Sequence, residues 1–369
     1  MFKTKFFKSL FCQTSVVLMG LSAPYIVWAQ TTSAEKLHIY NWAEYIPDYQ
    51  IHDFEKSTGI EVWYDTFDTD ETVNQKIAQA HSDYDIVVPS ATFMAQFVRE
   101  GKFTALDKTR IPNLRHLNPQ IMAQLAKIDP GNQYLVPWAW GYTTVGINEA
   151  QVKKALGALP MPSNPFDLIF NPKYSSKLKS CGIFYLDSPT DVMASALNYM
   201  GKDIYSSTPA DVNNAVSMLR AVRGDIRRFG DSSAIYDIAD GKYCAFLTWA
   251  TDVNLASERA ANPSIRIPSA QSGVLFIDVM AIPKSAPNVN NAHTWINDAL
   301  EPQVSAQMTN DLGYATANQT AWTQGLIQKN RALQVPDEAL NTMVIKQLPN
   351  EPATLNAMNQ GFQKFRSGK

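Results

Sequence analysis

Apolar runs and amphipathic segments alternate along the first third of the chain. Residues 37–40 read as a strand, 48–57 as a helix stopped by Gly59, and 61–67 as a strand rich in Val, Trp, Tyr and Phe. Asp70 opens a helix to about 80, and 85–88 is a short buried strand stopped by Pro89. Ser90 is placed to cap a helix ending near Gly101. Further strands are predicted over 142–147, 181–186, 243–247 and 275–282, with a helix over 189–200 ended by Gly201. The stretch 321–369 is helical in pattern and ends in a basic tail. Strand–helix alternation with short links predicts an α/β fold of mostly parallel sheet covered by helices. Ligands of such sheets bind beyond the C-terminal ends of strands. No internal repeat or low-complexity linker is evident, and lobes joined by crossing strands would need none.

Lys3, Lys5 and Lys8 precede an interrupted apolar stretch over 10–28, and Val27-Trp28-Ala29 fits a cleavage site. Residues 1–29 therefore read as a secretory signal peptide, and the mature chain as an extracytoplasmic protein with no membrane span. Losing three Lys moves the net charge from −2 to about −5. That balance argues against a nucleic-acid partner. The 369 residues, 45% apolar and 18% charged, suffice for roughly two domains with large cores.

Cys12 falls in the leader, leaving Cys181 and Cys244 in an oxidising compartment as either a disulfide or two separate buried thiols. His38, His52, His81, His116 and His293 are scattered without metal-ligand spacing, and no cofactor or metal is implied. Ser176-Lys177-Leu178-Lys179 matches S-x-x-K, but no K-T-G or S-D-N accompanies it and the segment reads as a polar loop. No nucleophile elbow or H-E-x-x-H occurs, so the chain reads as a non-enzyme.

Aromatic residues fall at or near strand ends: Trp42, Tyr45, Trp249, Phe276 and Tyr314. Carboxylates stand beside them: Glu44, Asp252 and Asp278, with Asp191 in the first turn of a helix. Two-residue spacing puts Phe276 and Asp278 on one strand face. Ring faces attract ammonium groups and carboxylates bind their N–H donors, so this set suits a cation carrying methylene groups. Two carboxylate clusters at opposite ends would measure the length of a diamine. The plainer reading puts the rings in the core and the acids at helix caps.

The motifs Asn41-Trp42-Ala43-Glu44-Tyr45-Ile46-Pro47, Asp85-Ile86-Val87-Val88-Pro89-Ser90, Lys179-Ser180-Cys181-Gly182, Trp249-Ala250 with Asp252-Val253, and Phe276-Ile277-Asp278 occur in this order. Together they resemble the periplasmic polyamine-binding proteins of ABC transporters, over nearly the whole mature chain. The resemblance implies a type II, two-lobed binding protein: 30–140 plus 271–315 as one lobe, 141–270 as the other, and 316–369 as C-terminal helices packing on both. It implies a monomer that captures a putrescine- or spermidine-class polyamine and delivers it to ABC permease subunits. Trp42, Tyr45, Trp249, Phe276 and Tyr314 would box the methylene chain. Asp252 and Asp278 would bind one ammonium, with Glu44 and Ser90 nearby. Asp191 would take the far end, and Asp231 and Ser232 would add a polar contact. The resemblance also favours a Cys181–Cys244 bridge.

Several positions depart from the family pattern. Ala43 replaces a usual Ser or Thr, Asp191 a usual Glu, and Glu44 the Asp of putrescine-type members, whereas Phe276 is the putrescine-type choice. These clues leave the polyamine's length open. The same lobes could instead serve a membrane signalling receptor. A ferric- or anion-binding relative would want paired Tyr or Arg, which this acid-rich set does not supply.

Overall fold

A computed structural model describes residues 35–67, 70–79, 83–268, 273–328, 335 and 337–368, all within one unit by internal contacts. The leader, Cys12 and His81 lie outside the described residues. Among the described residues ten strands form one sheet: β1 (Lys36–Trp42), β2 (Glu61–Phe67), β3 (Ile86–Val87), β4 (Leu135–Asn148), β5 (Ile183–Leu186), β6 (Ile226–Gly230), β7 (Ala245–Trp249), β8 (Ile265–Arg266), β9 (Val274–Ala281) and β10 (Val344–Ile345). Their order is β2-β1-β3-β9-β4-β7-β5-β6, with β10 on β9 and β8 on β4. β1 pairs in parallel with β2 and β3, and β5 with β6 and β7. The long β4 runs antiparallel to β9 at one end and to β7 at the other, splicing the two parallel sets into a two-lobed α/β frame.

The lobes have separate cores. Trp138, Trp140 and Tyr142 of β4 and Leu275 and Ile277 of β9 belong to one. Val145 and Ile147 of β4 and Val274 of β9 belong to the other. β9 changes cores between Val274 and Leu275 and β4 between Tyr142 and Val145, beside the neighbouring pairs Tyr142–Leu275 and Thr143–Val274. In the second lobe, Ala245 and Leu247 of β7 enter one core while Phe246 enters another behind the sheet. Period-two alternation with both faces covered accounts for the continuous apolar runs that announced these strands.

Boundaries match the sequence pattern closely where a terminator is present: the helix Asp48–Thr58 ends at Gly59 with φ 74°. Three expectations are corrected. Ser90 caps no helix; a short 3-10 turn, Ala91–Phe93, intervenes, and its hydroxyl donates to Thr92 Oγ1 at 3.1 Å. Ser176 and Lys177 sit on the exposed side of a helix, Pro172–Leu178, whose Tyr174 and Leu178 are buried, so the segment is not a loop. The tail is not uniformly helical: the β-branched pair Val344–Ile345 forms β10, covering the edge of β9 that short β3 leaves open.

The tail serves both lobes. Leu340 and Met343 join the first core, and Met358, Phe362 and Phe365 of the helix Pro352–Ser367 join the second. Between them the chain crosses the joint, and the Asn350 amide bonds the Tyr205 carbonyl at 2.9 Å.

Cys181 and Cys244 are joined by a disulfide across 63 residues, tying the turn before β5 to the start of β7. Loop closure of this size contributes about 4 kcal/mol through the unfolded chain. The double variant C181S/C244S should therefore melt roughly 5 °C lower by calorimetry. An unchanged melting temperature would mean that the bridge adds nothing to stability.

Candidate functional site

A cavity of about 370 Å³ opens at the joint and draws its wall from both lobes. That volume lies at the lower end of small-molecule sites. β1 ends at Trp42, and the following turn puts Glu44 in the left-handed region, φ 55°, so that Glu44 faces water while Tyr45 turns inward. The Tyr45 and Tyr314 rings meet edge to face at 4.3 Å. Phe276 pairs with Gly141 of β4, where an added Cβ would come within 2.6 Å of the ring. Trp249 ends β7, and Asp252 follows in the first turn of the helix Ala250–Ala260.

Asp278 and Asp252 are 7% and 5% exposed, and neither forms an ion pair among the described residues. Asp278 accepts from the Tyr45 hydroxyl at 2.6 Å, and its backbone bridges Ser90, beside a register shift between Pro137 and Ala139 that bends β4 there. Asp252 accepts from Thr248 at 2.8 Å and from Ser232 at 3.2 Å. Burial pushes Asp278 up to about 6, against the Tyr45 hydrogen bond and the Lys346 charge that favour its ionised form. Burial likewise raises Asp252 to about 6, partly offset by its two hydroxyl donors.

Asp191 differs. Ser188 caps the helix Pro189–Tyr199 and donates to Asp191 Oδ2 at 2.6 Å. Thr143 and Lys346 both bond Oδ1, at 2.6 and 2.8 Å. Burial works to raise the Asp191 pKa, but the Lys346 ammonium and the two hydroxyls hold it below the usual carboxylate value.

The structure brings the five expected aromatics, Trp42, Tyr45, Trp249, Phe276 and Tyr314, into the lining. Ser90, Asp191, Ser232, Asp252 and Asp278 line it as well. Glu44 and Asp231 are exposed outside it; Asp231 holds the Ser233 amide at 2.9 Å and raises Asp252 by its charge. Among the lining residues that sequence reasoning missed are Asp70, taken only as a helix start; Trp140, whose indole donates to the Thr316 carbonyl at 3.0 Å; and Lys346. The signal for Lys346 was a lone cation just after the apolar run Met343-Val344-Ile345. His293, by contrast, is buried and accepts from the Asp107 amide at 2.9 Å, away from the cavity.

Two lobes spliced by crossing strands, with a ring- and acid-lined cavity at the splice, define a solute-binding protein. The chain belongs to the bacterial extracellular solute-binding protein family, whose profile matches residues 50–335. It is 36% identical over 361 residues to the putrescine-binding periplasmic protein PotF of Escherichia coli (strain K12), covering 95% of this chain and 96% of that one. It is 33% identical over 350 residues to the putrescine-binding periplasmic protein SpuD of Pseudomonas aeruginosa (strain UCBPP-PA14), covering 92% and 94%. The fold matches the spermidine/putrescine ABC transporter substrate-binding protein PotD of Streptococcus pneumoniae with a TM-score of 0.74 at 24% identity, covering 90% and 99%. These are binding proteins, not enzymes.

The raised acids make a stability prediction. An acid whose pKa is higher folded than unfolded takes up its proton in the folded state first, between about 4 and 6. Its contribution is fully present below about pH 4 and is lost as pH rises through 6. Two units cost roughly 3 kcal/mol per group at pH 8. Without ligand, D278N should thus melt a few degrees above the parent at pH 8, with the gap about halved at pH 5 and closed by about pH 4. A variant that melts lower at pH 8 with an unaltered pH profile would overturn the burial argument.

Proposed function

We propose that this chain is an extracytoplasmic solute-binding protein that captures a short, doubly protonated polyamine in the interlobe cavity and delivers it to an ABC permease. The observation that carries the reading is the pair Asp252 and Asp278, buried with no ion-pair partner among the described residues in a cavity walled by aromatic rings. Buried carboxylates call for a cation, and rings favour one whose charges are separated by methylenes. The similarity to the putrescine-binding proteins PotF and SpuD supports the same ligand class. We assign the periplasm as its compartment, reached through the leader over 1–29, and a monomer as its working state. The lobes run over 30–140 plus 271–315 and over 141–270, boundaries supported by the change of core between Tyr142 and Val145 and between Val274 and Leu275. Because each lobe contributes contacts, ligand favours the closed arrangement.

Titration calorimetry tests this. Putrescine should bind at pH 7.5, and 1,4-butanediol, equal in length but uncharged, should not. Affinity should fall below about pH 6 as Asp252 and Asp278 take up protons. D252N and D278N should each lose roughly 100-fold or more. If no diamine binds, or if both variants bind as the parent does, the assignment fails.

A further inference from the structure

We propose that Lys346 is a built-in ammonium that limits ligand length, occupying the Asp191 carboxylate in place of a further ligand nitrogen and so favouring a diamine over a triamine. The inference rests on the polyamine reading above and goes beyond it to a selectivity device.

A lysine side chain is chemically the end of a polyamine: a primary ammonium on a methylene chain. Lys346 places that group on the cavity wall, 2.8 Å from Asp191 Oδ1 and 5.4 Å from the centroid of the Phe276 ring. Carboxylate and ring are the pair of contacts expected of a bound alkylammonium. The two side chains are only 11% and 3% exposed, so the attraction is weakly screened. Asp191 also accepts from Thr143 and Ser188, which leaves it little demand for a ligand charge. Its depressed pKa contrasts with the raised values of Asp252 and Asp278.

Charge matching then follows. Asp252 and Asp278 form no ion pair among the described residues, and a diamine brings two charges to these two buried acids; Asp70, the other lining carboxylate, is less buried. A third ammonium reaching toward Asp191 would meet Lys346, a charge of its own sign, at a cost of roughly 100-fold in affinity or more. Lys346 cannot readily withdraw. Its amide donates to the Leu275 carbonyl at 2.7 Å, one residue before Phe276, as an extension of β10. A buried ion pair is also a poor device for stability alone, since apolar residues of equal volume commonly do as well.

The test compares spermidine with putrescine by calorimetry at pH 7.5 and low salt, in the parent, K346M and K346R. The parent should favour putrescine. K346M unmasks Asp191 and should move the spermidine-to-putrescine affinity ratio toward spermidine by about 100-fold, while K346R, which keeps the charge, should move it far less. If K346M misfolds around an unpaired Asp191, the double variant D191N/K346M replaces it; removing the repulsion alone should still shift the ratio by about tenfold. A ratio unchanged in the folded variant, with putrescine binding intact in the parent, would overturn the length filter and leave the polyamine reading standing. Absence of polyamine binding by the parent would overturn both.

Discussion

The structure turns on one unsatisfied electrostatic demand. Asp252 and Asp278 are held away from water by packing that belongs to different lobes, with hydroxyl partners but no ion pair among the described residues. Neutral hydrogen bonds orient a carboxylate without replacing the hydration that it loses. Folding accepts this cost locally because the large apolar cores on either side supply the stability. In the reading proposed above, recognition completes a charge balance that folding leaves open, and selectivity follows from what else in the cavity already carries charge.

The scaffold positions these acids through a few neighbouring rungs. β4 and β9 leave one core and enter the other beside the pairs Tyr142–Leu275 and Thr143–Val274, and Val344 and Ile345 of β10 pair with β9 there too. Phe276 and Asp278 project from β9 just inside the first lobe, while Asp252 is presented from the second by the helix that follows β7. Gly141 has a specific part here. Without a side chain it lets Phe276 lie against the backbone of β4, so the ring forms part of the wall and leaves the interior open.

Much of the architecture was legible in the chain because its signals are local. Gly59 ends a helix through its left-handed conformation, and the period-two spacing of Phe276 and Asp278 puts both side chains on the cavity. The family resemblance named Asp191, Trp249 and Tyr314 for the site, and all three line the cavity. What escaped depends on distance in sequence. Lys346 and Asp191 are 155 residues apart, and no periodicity connects them. The tail reads as helical because neighbouring segments are, while two residues of strand suffice to deliver the lysine. Glu44 shows the opposite limit: its motif position pointed inward, but the left-handed turn sends the side chain to solvent.

The tail's double anchorage has a mechanical meaning. Ile345 is fixed in the sheet and Asn350 is fastened to Tyr205 on the other side, with only four residues between them. A strand that short reaches about 17 Å at full stretch. While both anchors hold, that reach bounds the separation of the two attachment points, and the first residue of the span is Lys346 on the cavity wall.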